Sequence, residues 1–83
     1  MRLRDDNLVV REIDGEMVLL DLAGSAYFAS NRTGTFLLGL LKTEQDRESL
    51  VAGLAREFEI DTARAAADTG AFLALLEEQD LLV

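Results

Sequence analysis

The sequence predicts an α+β fold in which a three-stranded antiparallel sheet precedes a three-helix bundle. Three observations carry that expectation. Two β-branched, apolar-rich runs flank Asp14-Gly15, a short aromatic β run passes directly into Asn31-Arg32-Thr33-Gly34, and three amphipathic segments follow, each opened by a capping side chain.

Leu8 to Ile13 and Glu16 to Leu22 read as the arms of a hairpin, because Gly15 tolerates the positive φ that a two-residue turn requires. In the second arm Val18, Leu20 and Leu22 point one way and Met17, Leu19 and Asp21 the other, so both faces carry apolar groups and one must cover a core. Ala23-Gly24-Ser25 turns the chain into a third strand over about Ala26 to Ser30, completing a meander. Asn31 is placed to cap the first helix, whose Phe36, Leu37, Leu40 and Leu41 recur at helical spacing. Gly34 and Gly39 each weaken that helix by roughly 1 kcal/mol if interior, unless they permit close packing. Asp46 opens a second helix with Leu50, Val51, Leu54, Ala55 and Phe58 on one face, and Ile60 packs behind it. Asp61 caps a third, about Thr62 to Gln79, with Ala65, Thr69, Phe72, Leu73 and Leu76 inward; Leu81, Leu82 and Val83 then return to the core.

The 83 residues are expected to form one domain, near the lower end of what buries a core without metals or disulfides. The absence of cysteine and histidine removes thiol nucleophiles, imidazole bases and the usual zinc ligands together. The adjacent acids Asp5-Asp6 and Glu77-Glu78 do not face one another across a substrate, and no phosphate-binding glycine loop is present. No catalytic residue, metal or cofactor is therefore expected, and function must be sought in binding. A formal charge of −8 opposes phosphate backbones, so nucleic acid is disfavoured. With no apolar run of membrane-spanning length and no signal-peptide pattern, the expected location is the cytoplasm.

The spacing Tyr-x-x-x-Asn-x-Thr-Gly, carried by Tyr27, Asn31, Thr33 and Gly34, resembles that of the PqqD-like family, small domains that recognise leader peptides of ribosomally made, modified natural products. Leu50, Leu54 and Phe58 fit its second helix, and Asp68, Phe72, Leu73, Leu76, Leu81 and Leu82 its closing helix and tail. The Arg64-Ala65-Ala66-Ala67-Asp68 stretch is most similar to the free-standing leader-binding proteins of lasso-peptide pathways. Two positions depart from the pattern. Ser30 stands where the family usually has Leu, which bears on packing at the end of the third strand, and Asp80 where it usually has Gly, which bears on the helix C-cap.

The resemblance implies a winged-helix-like domain that takes an extended leader as a further strand beside the third strand, with the third helix closing the groove. It places Ala26, Tyr27, Phe28, Ala29 and Ser30 on the strand side of a peptide-binding site and Asp68, Ala71, Phe72 and Leu75 on the helix side. Tyr27 and Phe28 point to opposite faces, so only one can line the groove while the other packs elsewhere, and for either taken singly the alternative is plain core packing. Leu75 is either a pocket residue or an ordinary exposed apolar one, and Asp68 either pairs with a basic leader side chain or is simply solvated. The implied partners are the precursor leader peptide and a separate maturation enzyme such as a leader protease, without nucleic acid or membrane. The alternatives are a winged-helix DNA-binding or regulatory module and an edge-strand dimerisation module.

Overall fold

The computed structural model describes residues 1–24 and 26–83 and has three strands followed by three helices: β1 (Leu8–Ile13), β2 (Glu16–Asp21), β3 (Ala26–Ala29), α1 (Arg32–Leu40), α2 (Arg47–Phe58) and α3 (Thr62–Glu78). The sheet is an antiparallel meander of order β1-β2-β3, so β3 is an edge. Asp14 at φ 53° and Gly15 at φ 80° form the first turn with two left-handed residues, as the Asp-Gly pair requires. The turn expected over Ala23-Gly24-Ser25 has its last residue outside the described set.

The second strand stops at Asp21 rather than Leu22. The Asp21 carboxylate accepts the backbone N–H groups of Ala23 (3.2 Å) and Gly24 (3.3 Å), and that local turn bends the chain away. Leu22 keeps one ladder bond, to the Asn7 carbonyl at 2.9 Å, but its side chain is 60% exposed. Of the two faces of β2, Met17 and Leu19 are buried against the helices, whereas Leu20 lies on the outer face beside Tyr27.

All three expected caps form. Asn31, Asp46 and Asp61 accept the backbone N–H groups of Gly34, Ser49 and Arg64 at 2.9, 2.7 and 2.7 Å. The core is built from Leu19, Leu37, Leu38, Leu41, Leu50, Leu54 and Leu76, each essentially inaccessible. Leu38 belongs to this core although it falls outside the expected stripe of α1: that short helix is buried on two sides, and a single-stripe reading misses the second.

At the end of α3, Asp80 adopts φ 58°, the left-handed value a glycine would supply. The Asp80 N–H donates to the Glu77 carbonyl (3.0 Å) and the Leu81 N–H to the Leu76 carbonyl (2.9 Å), so the paired C-terminal bonds of a glycine-type cap are retained. The tail then pairs with the N-terminal segment through the Leu3–Leu82 bridge. Leu81 is buried and Leu82 half-buried, but Val83 is 57% exposed; its backbone is held by Arg2 while its side chain leaves the core. Arg4 fastens this corner, donating to the Asp80 carbonyl at 2.9 Å and to the Asp21 carboxylate at 2.6 Å.

Candidate functional site

Edge strands present backbone groups that no neighbour satisfies. The Ser30 N–H donates to the Met17 carbonyl at 3.0 Å, which marks that pair as hydrogen-bonded across β2 and β3. Antiparallel alternation then directs the backbone groups of Phe28 toward β2 and those of Tyr27 and Ala29 outward. Tyr27 and Ala29 are therefore the positions at which an extended peptide can add to the sheet.

Side chains on the two faces of β3 have different surroundings. Phe28 turns toward α3 and meets Phe72 edge to face, with ring centroids 6.0 Å apart. Tyr27, on the opposite face, is 67% exposed. The approach of Phe72 depends on Gly34, where a Cβ would sit 2.8 Å from the Phe72 ring. This gives the Asn-x-Thr-Gly spacing a physical meaning: Asn31 caps α1 and also accepts the Thr33 hydroxyl at 3.0 Å, while Gly34 clears room for the aromatic of α3.

An open groove of about 470 Å³ continues from this contact, lined by Phe72, Ala71, Leu75 and Asp68 together with Asn31, Thr33 and Arg64. Leu75 is 40% exposed within it. Toward the other end of β3, Leu19, Phe28, Gln79 and Leu81 enclose a small notch of about 10 Å³, near the size of one water. The space between β3 and α3 thus has an apolar middle, and its polar end lies past the end of the strand.

The structure brings Asp68, Ala71, Phe72 and Leu75 to this groove, and Phe28 adjoins it through its contact with Phe72 while lining the notch. Tyr27 and Ala29 contribute outward backbone groups while their side chains lie on the outer face of the sheet; Ala26 opens β3 opposite Asp21, with its side chain outside the described set. Ser30 differs from expectation in its side chain. It is 4% exposed, and its hydroxyl donates to the Met17 carbonyl (3.1 Å) and lies 2.8 Å from the Thr35 hydroxyl, which in turn accepts the Met17 N–H at 2.9 Å. The serine thus replaces apolar filling with a closed polar knot that ties β2 to the first turn of α1. Asp68 also has a neighbour, the Arg64 guanidinium Nε at 3.8 Å, so it is not an isolated charge. Three lining residues, Asn31, Thr33 and Arg64, were not among the expected site residues. The first two look like plain capping residues in sequence, and Arg64 could have been found as the residue one turn before Asp68.

Among the described residues no three Asp or Glu side chains converge as metal ligands, and no helix is long and apolar enough to cross a membrane. The sequence profile of coenzyme PQQ synthesis protein D (PqqD) matches residues 16–82. The chain belongs to the PqqD family. Two solved structures resemble this PqqD-family chain over nearly its whole length. TbiB1 in complex with the TbiA(beta) leader peptide is 30% identical with a TM-score of 0.88, the match covering 99% of this chain and 94% of that one. A lasso peptide synthetase B1 complexed with the leader peptide is 28% identical with a TM-score of 0.82, covering 96% and 93%. No curated protein matches in sequence.

Proposed function

We propose that this PqqD-family chain binds the leader segment of a ribosomally made precursor peptide, carries out no reaction on it, and presents it to a separate modifying enzyme such as a leader protease. The observation that carries this reading is the close likeness to two proteins solved with leader peptides, together with the open edge of β3 facing a groove on α3. An added strand satisfies the outward backbone groups of Tyr27 and Ala29 whatever its sequence, and alternate side chains reach the apolar middle formed by Phe28, Phe72, Ala71 and Leu75. In this reading Phe28, Asp68, Ala71, Phe72 and Leu75 act through their side chains and Tyr27 and Ala29 through their backbone, while Ser30 braces the strand end rather than making contact and no part is assigned to Ala26.

A binder without His or Cys promotes chemistry by holding the precursor near the enzyme that acts on it, which raises the local concentration of the segment to be processed. The outer sheet face, with Leu20 and Tyr27 exposed, lies beside the same edge and stays uncovered while the groove is filled. The reading is tested by calorimetric titration and amide exchange with synthetic leaders of lasso-type precursors. Binding should slow exchange at Tyr27 and Ala29 and leave the precursor chemically intact until a protease is added. Cleavage or modification by the purified chain alone would overturn the non-catalytic assignment.

A further inference from the structure

We infer that the polar end of the groove, past the last residue of β3, selects an acidic side chain in the bound leader. The inference rests on the leader-binding reading and concerns one subsite of that groove. It follows from the balance of donors and acceptors there. Asn31 Oδ1 already accepts from the Gly34 N–H at 2.9 Å and the Thr33 hydroxyl at 3.0 Å, and those two bonds fix its amide so that Nδ2 is left over as a donor. Among the described residues neither that Nδ2 group nor the Thr33 backbone N–H has a partner, and the Arg64 guanidinium has one carboxylate neighbour, Asp68, at 3.8 Å. The acceptors are the Asp68 carboxylate, whose charge is already opposed by Arg64, and the neutral oxygen of the Thr33 hydroxyl. Donors are in surplus.

The first turn of α1 opens onto the same space and carries no acidic residue, so its positive end adds to the field of Arg64. A leader carboxylate in this part of the groove has donors on Arg64, Asn31 and the α1 backbone to accept from. A leader lysine meets the Arg64 charge beside a carboxylate that is already partnered. The net charge of −8 attracts basic segments at long range, but contact specificity is set by these groups at short range. Leader recognition then has two parts: apolar anchors in register with β3, and one acid where the peptide runs on beyond Ser30.

A selection of random peptides displayed on mRNA, carried out with the full chain, tests this. Enriched peptides should share alternating apolar anchors and carry Asp or Glu at one fixed position beyond them. An enriched acidic peptide should bind Arg64→Gln roughly two- to fivefold more weakly, the range of an exposed charge pair. Repeating the selection on Arg64→Glu should keep the apolar anchors and replace the acid with Lys or Arg. Apolar anchors with no charge preference, or the same acid preference on Arg64→Glu, overturn the acidic subsite and leave leader binding standing. Failure to enrich any peptide that slows exchange at Tyr27 and Ala29 overturns both.

Discussion

Gly34 and Gly39 lie one and a half turns apart in α1 and look alike in sequence, yet their surroundings are opposite. A Cβ at Gly34 would press 2.8 Å from the Phe72 ring and 3.0 Å from the Ser30 Cβ, while at Gly39 it would meet nothing within 4 Å. Helix propensity favours alanine at both, so the packing term decides the sign. Gly39→Ala should raise stability by roughly 0.5–1 kcal/mol. Gly34→Ala should lower it by about 1–3 kcal/mol, because the Phe72 ring is pinned between α1 and Phe28 and has little room to retreat. Denaturant titration of the two variants checks both signs. Sequence alone raised the possibility of close packing without saying at which glycine, since the distinction depends on where the α3 aromatic comes to rest. The same limit applies to Ser30: its chemistry was visible, but the polar knot with Thr35 and the Met17 backbone exists only once α1 has folded back against β2.

Helix ends show how local chemistry was read more securely than tertiary contact. The three N-caps were legible because a short oxygen-bearing side chain before an amphipathic run needs only its own next turn to act. The C-terminus of α3 was less so, since Asp80 departs from the family's glycine yet holds the left-handed geometry at φ 58°. Aspartate tolerates that region better than most residues but still pays a steric cost that glycine does not. Asp80→Gly should therefore raise the thermal midpoint, by about 0.5–1 kcal/mol in stability, with the Leu81 N–H to Leu76 carbonyl bond kept. At the start of α2, the Ser49 backbone N–H and then its hydroxyl hold the Asp46 carboxyl below its ordinary value of 3.8, against a smaller opposing effect of burial. For Asp21 burial pushes upward, but bonds from Arg4 and from the Gly24 and Ala23 N–H groups outweigh it, and the net shift is again downward. Both groups are depressed on folding, so their stabilisation is present above the unfolded carboxylate range and is lost as pH falls through the lowered folded values. Stability should decline below about pH 4, and Asp46→Asn, which retains a capping oxygen without a titrating group, should show a shallower acid decline in a pH series of denaturant melts.

At the scale of the molecule, the meander leaves β3 as an edge and α3 runs beside it, so the groove is a consequence of strand order and helix packing together. The strands and helices were legible from periodicity and turn chemistry, and once the family resemblance pointed to the third helix, helical angle put Ala71 and Leu75 on one flank with Asp68 and Phe72. What was not legible was the reach of the groove onto α1, because Asn31, Thr33 and Arg64 are far apart in sequence and meet only in the packed chain. The whole arrangement makes a separable prediction about binding and folding. Leu75 is 40% exposed on the groove flank, so a Glu there can pack its stem on α3 with its carboxylate in solvent and should shift the melting transition only slightly, while that carboxylate set against an apolar leader anchor should weaken leader binding at least tenfold, about 1.4 kcal/mol. Ala29→Pro acts on the strand side. The Ala29 N–H points outward, so proline costs the β2–β3 ladder no bond, yet it removes one of the donors an added strand needs; edge positions of this kind are where sheets tolerate proline. Calorimetric titration with a synthetic lasso-type leader, paired with melting curves, separates the effects. Loss of binding in both variants with retained folding places the peptide between β3 and α3, whereas normal binding by Leu75→Glu, or protection from amide exchange on α2 instead of β3, would move the site elsewhere.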